Sequence, residues 1–349
     1  MYQFYNVKNI SIVVIMKRIH SIMRSLILVL VTSLAFISGC DEDFFGDDEE
    51  YEIDPQLYIA THNNLSWSND GTKLAYILNN KIVIKYIPED DLKQLTGTGF
   101  YSDITWSPDN TRIAYSSRSY GIRDDIWIKD INGDTVANKI TSDKAADSHP
   151  RWSPTSDIIA FHSFRKTSYD IWIRNASDSG EDLLLVGDTS KDLNPEWSPD
   201  GTMLAYQSNK TGNLDLWIIK ADFISQPVQF TFHNANDQDP VWSPDGKKIA
   251  FESARSGSLG IWVKNSDGSG DAIHISSDHP DSYDANWSAD SSRIAYVSDQ
   301  VIYVRNSDGT DAAQKIHDGL EPRWSPDGKK MAYISFDGKM YGLEIIDAP

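Results

Sequence analysis

The chain has 349 residues, with 32 Lys and Arg against 51 Asp and Glu and a formal net charge of −19. The first 39 residues hold four of the bases and no acid, so the remainder sets 28 bases against 51 acids, a net −23. Such a body repels nucleic acid phosphates and anionic headgroups, which argues against either as its ligand. With Cys40 as the one cysteine, no disulfide can form within the chain.

In chain order, Lys17, Arg18 and Arg24 form a basic stretch, and Leu26 to Ile37 is an apolar run too short to span a bilayer comfortably. It reads as a secretory signal over residues 1–39, with Met16 as a second possible start. The run closes on Ile37-Ser38-Gly39-Cys40, which resembles the bacterial lipobox and implies lipidation of Cys40. An ordinary signal peptide with an incidental cysteine is the plainer alternative. Residues 40–55 follow as a tether: positions 41 to 55 carry nine acids, no base and few aliphatics, too little apolar surface to fold.

The rest, 56–349, is repetitive. A Trp-Ser pair recurs at Trp67, Trp106, Trp152, Trp197, Trp242, Trp287 and Trp324, spaced by 39, 46, 45, 45, 45 and 37 residues. Repeats of that period are blades or solenoid units. Each pair runs into a turn such as Pro199-Asp200-Gly201, where Pro presets φ and Gly accepts the left-handed position. An apolar strand follows each turn, LAYIL (74–78) in the first repeat and KIAFES (248–253) in the fifth. Third strands read IWIKD, IWIRN, LWIIK, IWVKN and IYVRN, and fourth strands are weaker. Near-continuous apolarity suits strands buried on both faces, and no segment has a convincing helical period.

The pattern P-x-W-S-P-D-G-x-x-I-A-F/Y-x-S-x-R-x-G-x-x-D-I-W-V resembles the propeller repeat of the TolB family, found also in the propellers of prolyl oligopeptidases and tricorn-type proteases. The resemblance covers residues 56–349. It implies an all-β propeller of four-stranded antiparallel blades, and the seven Trp-Ser pairs make it seven-bladed. The last repeat stops after its third strand, and QLYIAT (56–61) matches the fourth-strand pattern, so the N-terminal strand is expected to close the ring. Two departures stand out: the α/β domain that precedes the propeller in TolB is not found, and seven repeats replace its six blades.

Propeller topology sorts the candidate residues by face. Arg118, Arg165, Lys210 and Arg255 recur in the second-to-third loops, while Asp147, Asp192 and Asp237 recur in the fourth-to-first loops, where His149 also falls. These eight are the candidate ligand-binding set on one loop face, although salt bridges and Asx-turns copied from blade to blade would give the same pattern. His62, His149, His233, His279 and His317 share that face and could meet a divalent metal, as the resemblance to seven-bladed oligogalacturonate lyases implies. Their unequal distances from the blade tryptophans favour scattered histidines, so no metal ligand and no cofactor is assigned. Ser-Asp-Gly turns such as Ser266-Asp267-Gly268 lack the remaining ligands of a calcium loop and read as hairpins. No G-x-S-x-G elbow, phosphate-binding glycine loop or paired-thiol site occurs.

The expectation is a monomeric lipoprotein of the bacterial envelope, anchored to the membrane through Cys40, that binds an envelope protein or a cell-wall glycan without catalysis. A metal-dependent lyase acting on acidic oligosaccharides is the alternative.

Overall fold

The computed structural model describes residues 65–118, 123–133, 136–141, 144–165, 167–177, 180–336 and 341–349. Every regular element among them is a β-strand, grouped into seven antiparallel sheets, one for each Trp-Ser pair. Six sheets have four strands in sequence order and the seventh has three. Each blade's first strand ends on its motif tryptophan: Leu65–Trp67, Phe100–Trp106, Asp147–Trp152, Asp192–Trp197, Asp237–Trp242, Tyr283–Trp287 and Leu320–Trp324. First strands of successive blades touch around the whole ring, the last meeting the first.

The tryptophans do more than fill the core. In five blades the indole Nε1–H donates to the carbonyl just before the tryptophan of the preceding blade: Trp106 to Ser66, Trp197 to Arg151, Trp242 to Glu196, Trp287 to Val241 and Trp67 to Arg323, at 3.0–3.2 Å. The Trp67 bond joins blade 1 to blade 7. Trp152 and Trp324 differ, because their Nε1 atoms are buried with no hydrogen-bond partner and a guanidinium, of Arg112 or Arg293, lies 4.9 Å over each ring.

The W-S-P-D-G motif is a turn closed from within. In blade 4 the Ser198 hydroxyl donates to Asp200 at 2.6 Å and accepts the Met203 N–H, while Asp200 also accepts the Thr202 N–H. Gly201 closes it at φ +69, where a Cβ would run into Thr155 of the blade before. The turn therefore needs glycine twice over. Third strands end against these turns, as Ala221 N–H on Thr202 O and Ala348 N–H on Lys329 O illustrate, so the first-to-second and third-to-fourth turns share one face, the turn face. Second-to-third and fourth-to-first connections meet on the other, the loop face, as in Asp237 N–H on Leu214 O and Ser282 N–H on Leu259 O.

The core is divided unequally. Five apolar clusters each fill the space between two neighbouring blades, from blades 1 and 2 round to blades 5 and 6. Blades 6, 7 and 1 instead share one cluster that includes Val297, Leu320, Ile334, Trp324, Leu65 and Trp67. The second-strand residue after the Ala-aromatic pair also changes round the ring: Ser116, His162, Gln207 and Glu252 in blades 2 to 5, but Val297, Ile334 and Ile77 in blades 6, 7 and 1. Ile334 lies in the cluster that runs through blade 7, whereas Ile77 packs against the separate core of blades 1 and 2.

In the three-stranded blade 7, Leu343 and Ile345 are half-buried, whereas their counterparts Ile302 and Val304 in blade 6 and Ile261 and Val263 in blade 5 are almost fully buried. QLYIAT (56–61), the strand expected there, lies outside the described residues, as do Cys40 and His62.

Candidate functional site on the loop face

The site grows from a bulge that the repeat places in six of the seven inner strands among the described residues. Three residues before the tryptophan the backbone turns left-handed, at Asp103, His149, Asn194, Asp239, Asp284 and Glu321, with φ between +51° and +58°. The pairing of first and second strands slips at each of these points. Such a conformation costs a non-glycine residue about 1–2 kcal/mol, and Asp, Asn and His tolerate it best. The repeated expense sets a ring of polar side chains on the innermost strands.

Three bulges are held from the preceding blade. The Asn194 N–H donates to His162 Nδ1 at 3.2 Å, the Asp239 N–H to Gln207 Oε1 at 3.0 Å and the Asp284 N–H to Glu252 Oε1 at 2.8 Å. His162, Gln207 and Glu252 thus act as latches between blades 3 and 4, 4 and 5, and 5 and 6. Side chains then link across the inner strands: Asn194 donates to Asp239 at 2.6 Å, Arg151 pairs with Glu196 at 2.8 Å, Arg323 with Asp284 at 2.8 Å, and His149 Nδ1 lies 3.2 Å from Asp103.

Acids outnumber bases here, and burial governs their titration. Burial, with Asp239 and Asp284 close by, holds the Glu252 carboxyl well above its ordinary range. Asp239 moves up for the same first reason, and burial raises Glu196 although Arg151 opposes it. His162, pushed down to about 3 by burial and then by His149, stays neutral and accepts its hydrogen bond on Nδ1.

The structure brings several of the expected ligand-binding residues together in pairs. Arg165 reaches Asp147 at 3.2 Å and Asp182 at 2.6 Å and lies 4.2 Å over Trp172. Arg255 reaches Asp237 at 2.7 Å and lies 5.0 Å over Trp262. In blade 4 a lysine takes the arginine's place: Lys210 turns out to Asp188 at 2.9 Å and stays half-exposed. Asp192, buried like Asp147 and Asp237, is pushed up to about 6 by that burial, against a bond from Ser208 and with Asp188 and Asp170 nearby. Arg118 pairs with Asp124 at 3.1 Å at the surface. Asp147, Asp192, Asp237 and His149 sit within first strands rather than in the loops before them, because pairing with the second strand begins at the aspartate.

The histidines are dispersed. His149 stacks on His162, His279 stacks on Tyr303 with Nδ1 3.1 Å from Tyr296, His233 accepts the Ala235 N–H, and His317 lies against Tyr333. Among the described residues no three His, Cys, Asp or Glu side chains are placed to hold a metal ion.

Of the bulge residues, sequence reasoning named His149 alone, and it missed the others and their latches. The available signal was a polar residue three places before every motif tryptophan, together with the polar-to-apolar change at the second-strand position. Also on the loop face, Phe100, Phe164, Phe232 and Phe336 are exposed at strand ends and in connections.

A sequence profile of the TolB β-propeller domain matches residues 149–319. Among curated proteins, none matches the chain. Among solved structures, TolB from Acinetobacter baumannii is similar with a TM-score of 0.54 and 18% identity over 75% of this chain, which spans 65% of that protein's length. Oligogalacturonate lyase from Vibrio parahaemolyticus is similar with a TM-score of 0.65 and 15% identity, covering 83% of this chain and 91% of that one. Hydrazine synthase from Kuenenia stuttgartiensis has a TM-score of 0.67 and 14% identity, covering 87% and 99%. At these identities the likeness is one of fold.

Proposed function

The chain belongs to the TolB-like β-propeller family, and from that premise we propose that it is a lipid-anchored envelope protein whose loop face binds a protein or glycan partner without catalysis. The observation that carries the reading is the joint placement on that face of a latched, polar inner ring and four exposed phenylalanines. Rigid inner strands fix the polar groups, and exposed aromatic side chains supply anchors. The lipobox-like segment ending at Cys40 supports the anchor, and the similarity to TolB supports an envelope location. No nucleic acid is expected on so acidic a body, and a monomer is expected because the repeat closes on itself.

The alternative, a metal-dependent lyase on acidic oligosaccharides, draws on the likeness to oligogalacturonate lyase. The histidines do not suit it, since four of the five stand apart in different blades, each against its own neighbours.

Arg118 and Lys210 are the more exposed of the four recurrent bases, so a double change of both to Glu alters the rim while sparing the buried Arg165 and Arg255 pairs. Exposed pairs of this kind are worth about 0–1 kcal/mol, so the melt should hardly move. Cross-linked capture of the envelope partner should be lost. Capture undiminished by the double change would remove the rim from the binding face.

A further inference from the structure

Resting on the loop-face reading, we infer that Lys210 is a proton-controlled arm of that face: it turns out to the rim, toward an acidic group of the partner, while Asp192 is protonated, and folds in against Asp192 and Trp217 when Asp192 ionises. The sister blades supply the inward position. In blades 3 and 5 the base at this place lies over the third-strand tryptophan and reaches the buried aspartate of its own blade, Arg165 to Asp147 and Arg255 to Asp237. The serine that ends the second strand steadies each guanidinium, Arg165 Nε donating to Ser163 at 3.0 Å and Arg255 Nε to Ser253 at 3.1 Å.

Blade 4 keeps every part of this socket. Asp192, Ser208 and Trp217 stand 45 residues before Asp237, Ser253 and Trp262. With no guanidinium to accept from, the Ser208 hydroxyl donates to Asp192, whose Oδ2 is buried without a hydrogen-bond partner. Lys210 bonds Asp188 at 2.9 Å instead, where blade 5 has His233, and its Nζ lies 5.5 Å from the Trp217 ring centroid. A compact ammonium on a flexible stem can exchange between two carboxylates, whereas a planar guanidinium held by several bonds stays put.

Only one of those two carboxylates titrates near neutrality. Against its burial, bonds from Ser190 and Lys210 hold Asp188 below its ordinary range, so it is charged throughout. Asp192 is pushed up to about 6 by burial, against the Ser208 bond, with Asp188 and Asp170 adding to the rise and Lys210 opposing it. Tyr206, packed near it, is held well above its ordinary range by burial and by both carboxylates, and stays neutral. Below about pH 6 the inner carboxyl is uncharged, and Asp188 keeps the lysine at the rim. Above that, a buried carboxylate without a cation is costly. The ammonium that relieves it is one that an exposed pair holds weakly. The rim base therefore withdraws as pH rises.

The test follows Lys210 in full-length protein whose lysines carry 13C-methyl groups from reductive methylation, with Lys210→Arg identifying its signal. From pH 5 to pH 8 that signal should move upfield, into the shielding of the indole face, with a midpoint near 6. The movement should vanish in Asp192→Asn and be much reduced in Trp217→Leu. A signal with no inflection in that range, or one that moves alike in either variant, would overturn the arm. Should Asp192→Asn not fold, Lys210→Arg decides: its arginine should take the sister position, so its melting midpoint should gain several degrees on the parent between pH 5 and pH 8. A constant gap would overturn the socket. Cross-linked capture in envelopes should fall several-fold over the same range in the parent and stay low at both pH values in Lys210→Arg. Capture indifferent to pH while the signal moves would overturn the arm's link to the partner. No capture at either pH would overturn the loop-face reading instead, and the lysine signal would still decide on the arm.

Discussion

Blades 3 to 5 and blades 6, 7 and 1 are cut from one repeat yet solve the same packing problem in opposite ways. In the first group a polar second-strand residue latches the next blade's bulge, and the apolar cores stay separate. In the second group Val297, Ile334 and Ile77 occupy that position, and the cores on the two sides of blade 7 form one cluster that includes Val297 and Ile334. The loops follow the same division. Blades 2 to 5 carry long second-to-third connections with a recurrent base, while Asn79-Asn80 in blade 1 and Asp299-Gln300 in blade 6 make two-residue hairpin turns with both residues at positive φ. One side of the ring spends its sequence on stability, the other on a shaped polar rim.

The comparison can be broken most forcefully in the merged core. Ile302→Ala removes a fully buried side chain and should cost about 2–5 kcal/mol. Amides of blades 6, 7 and 1 should lose exchange protection together, whereas Ile261→Ala at the equivalent place in blade 5 should affect blades 5 and 6 alone. Equal spread of the two effects, read by hydrogen exchange, would mean the cores are not divided as described.

Deleting residues 56–61 should lower the thermal midpoint by several degrees, since Leu343 and Ile345 would then lack the cover their counterparts have. An unaltered melt would refute that strand's role in closing blade 7.

On the latched side, Gln207→Val leaves the Asp239 N–H without its acceptor and should cost about 1–3 kcal/mol. A neutral result in denaturant titration would demote the latch to a bystander.

The smallest effects are in pH. Buried Glu252 keeps its proton in the folded protein at pH values where the unfolded chain, near 4.3, has released it, so stability falls as pH rises through that window. Glu252→Gln, which copies blade 4, should match the parent at pH 4 and exceed it at pH 8. His162 runs the other way: its folded value is about 3 against about 6.5 unfolded, so stability falls as pH drops between them. His162→Gln should flatten that acid limb. Parallel pH profiles for parent and variant would contradict either assignment.

Much of this was legible in the sequence. The Trp-Ser pairs fixed the number of blades, and the turn chemistry fixed where each hairpin folds. Blade 1's third strand, Lys81–Tyr86, escaped notice because Val83 stands where blades 2 to 6 carry the tryptophan or tyrosine that marks the strand. The inner ring was hidden for a deeper reason. Whether Asp239 or Glu252 is a surface acid or a buried one depends on a bulge and on a neighbour 45 or 32 residues away, at Asn194 or Asp284. No local pattern reports that. Arg165 and Asp147 were named as one set, but only the fold puts the guanidinium against that carboxylate with Trp172 beneath it.

The claim that matters most is that the loop face is the working face. Hydroxyl-radical footprinting of the anchored protein in intact envelopes, compared with the purified protein, reads Phe100, Phe164, Phe232 and Phe336 directly. The account predicts that these phenylalanines are oxidised markedly less in the envelope, with protection strongest on the side of blades 2 to 5. Equal oxidation of all four in both settings would contradict it.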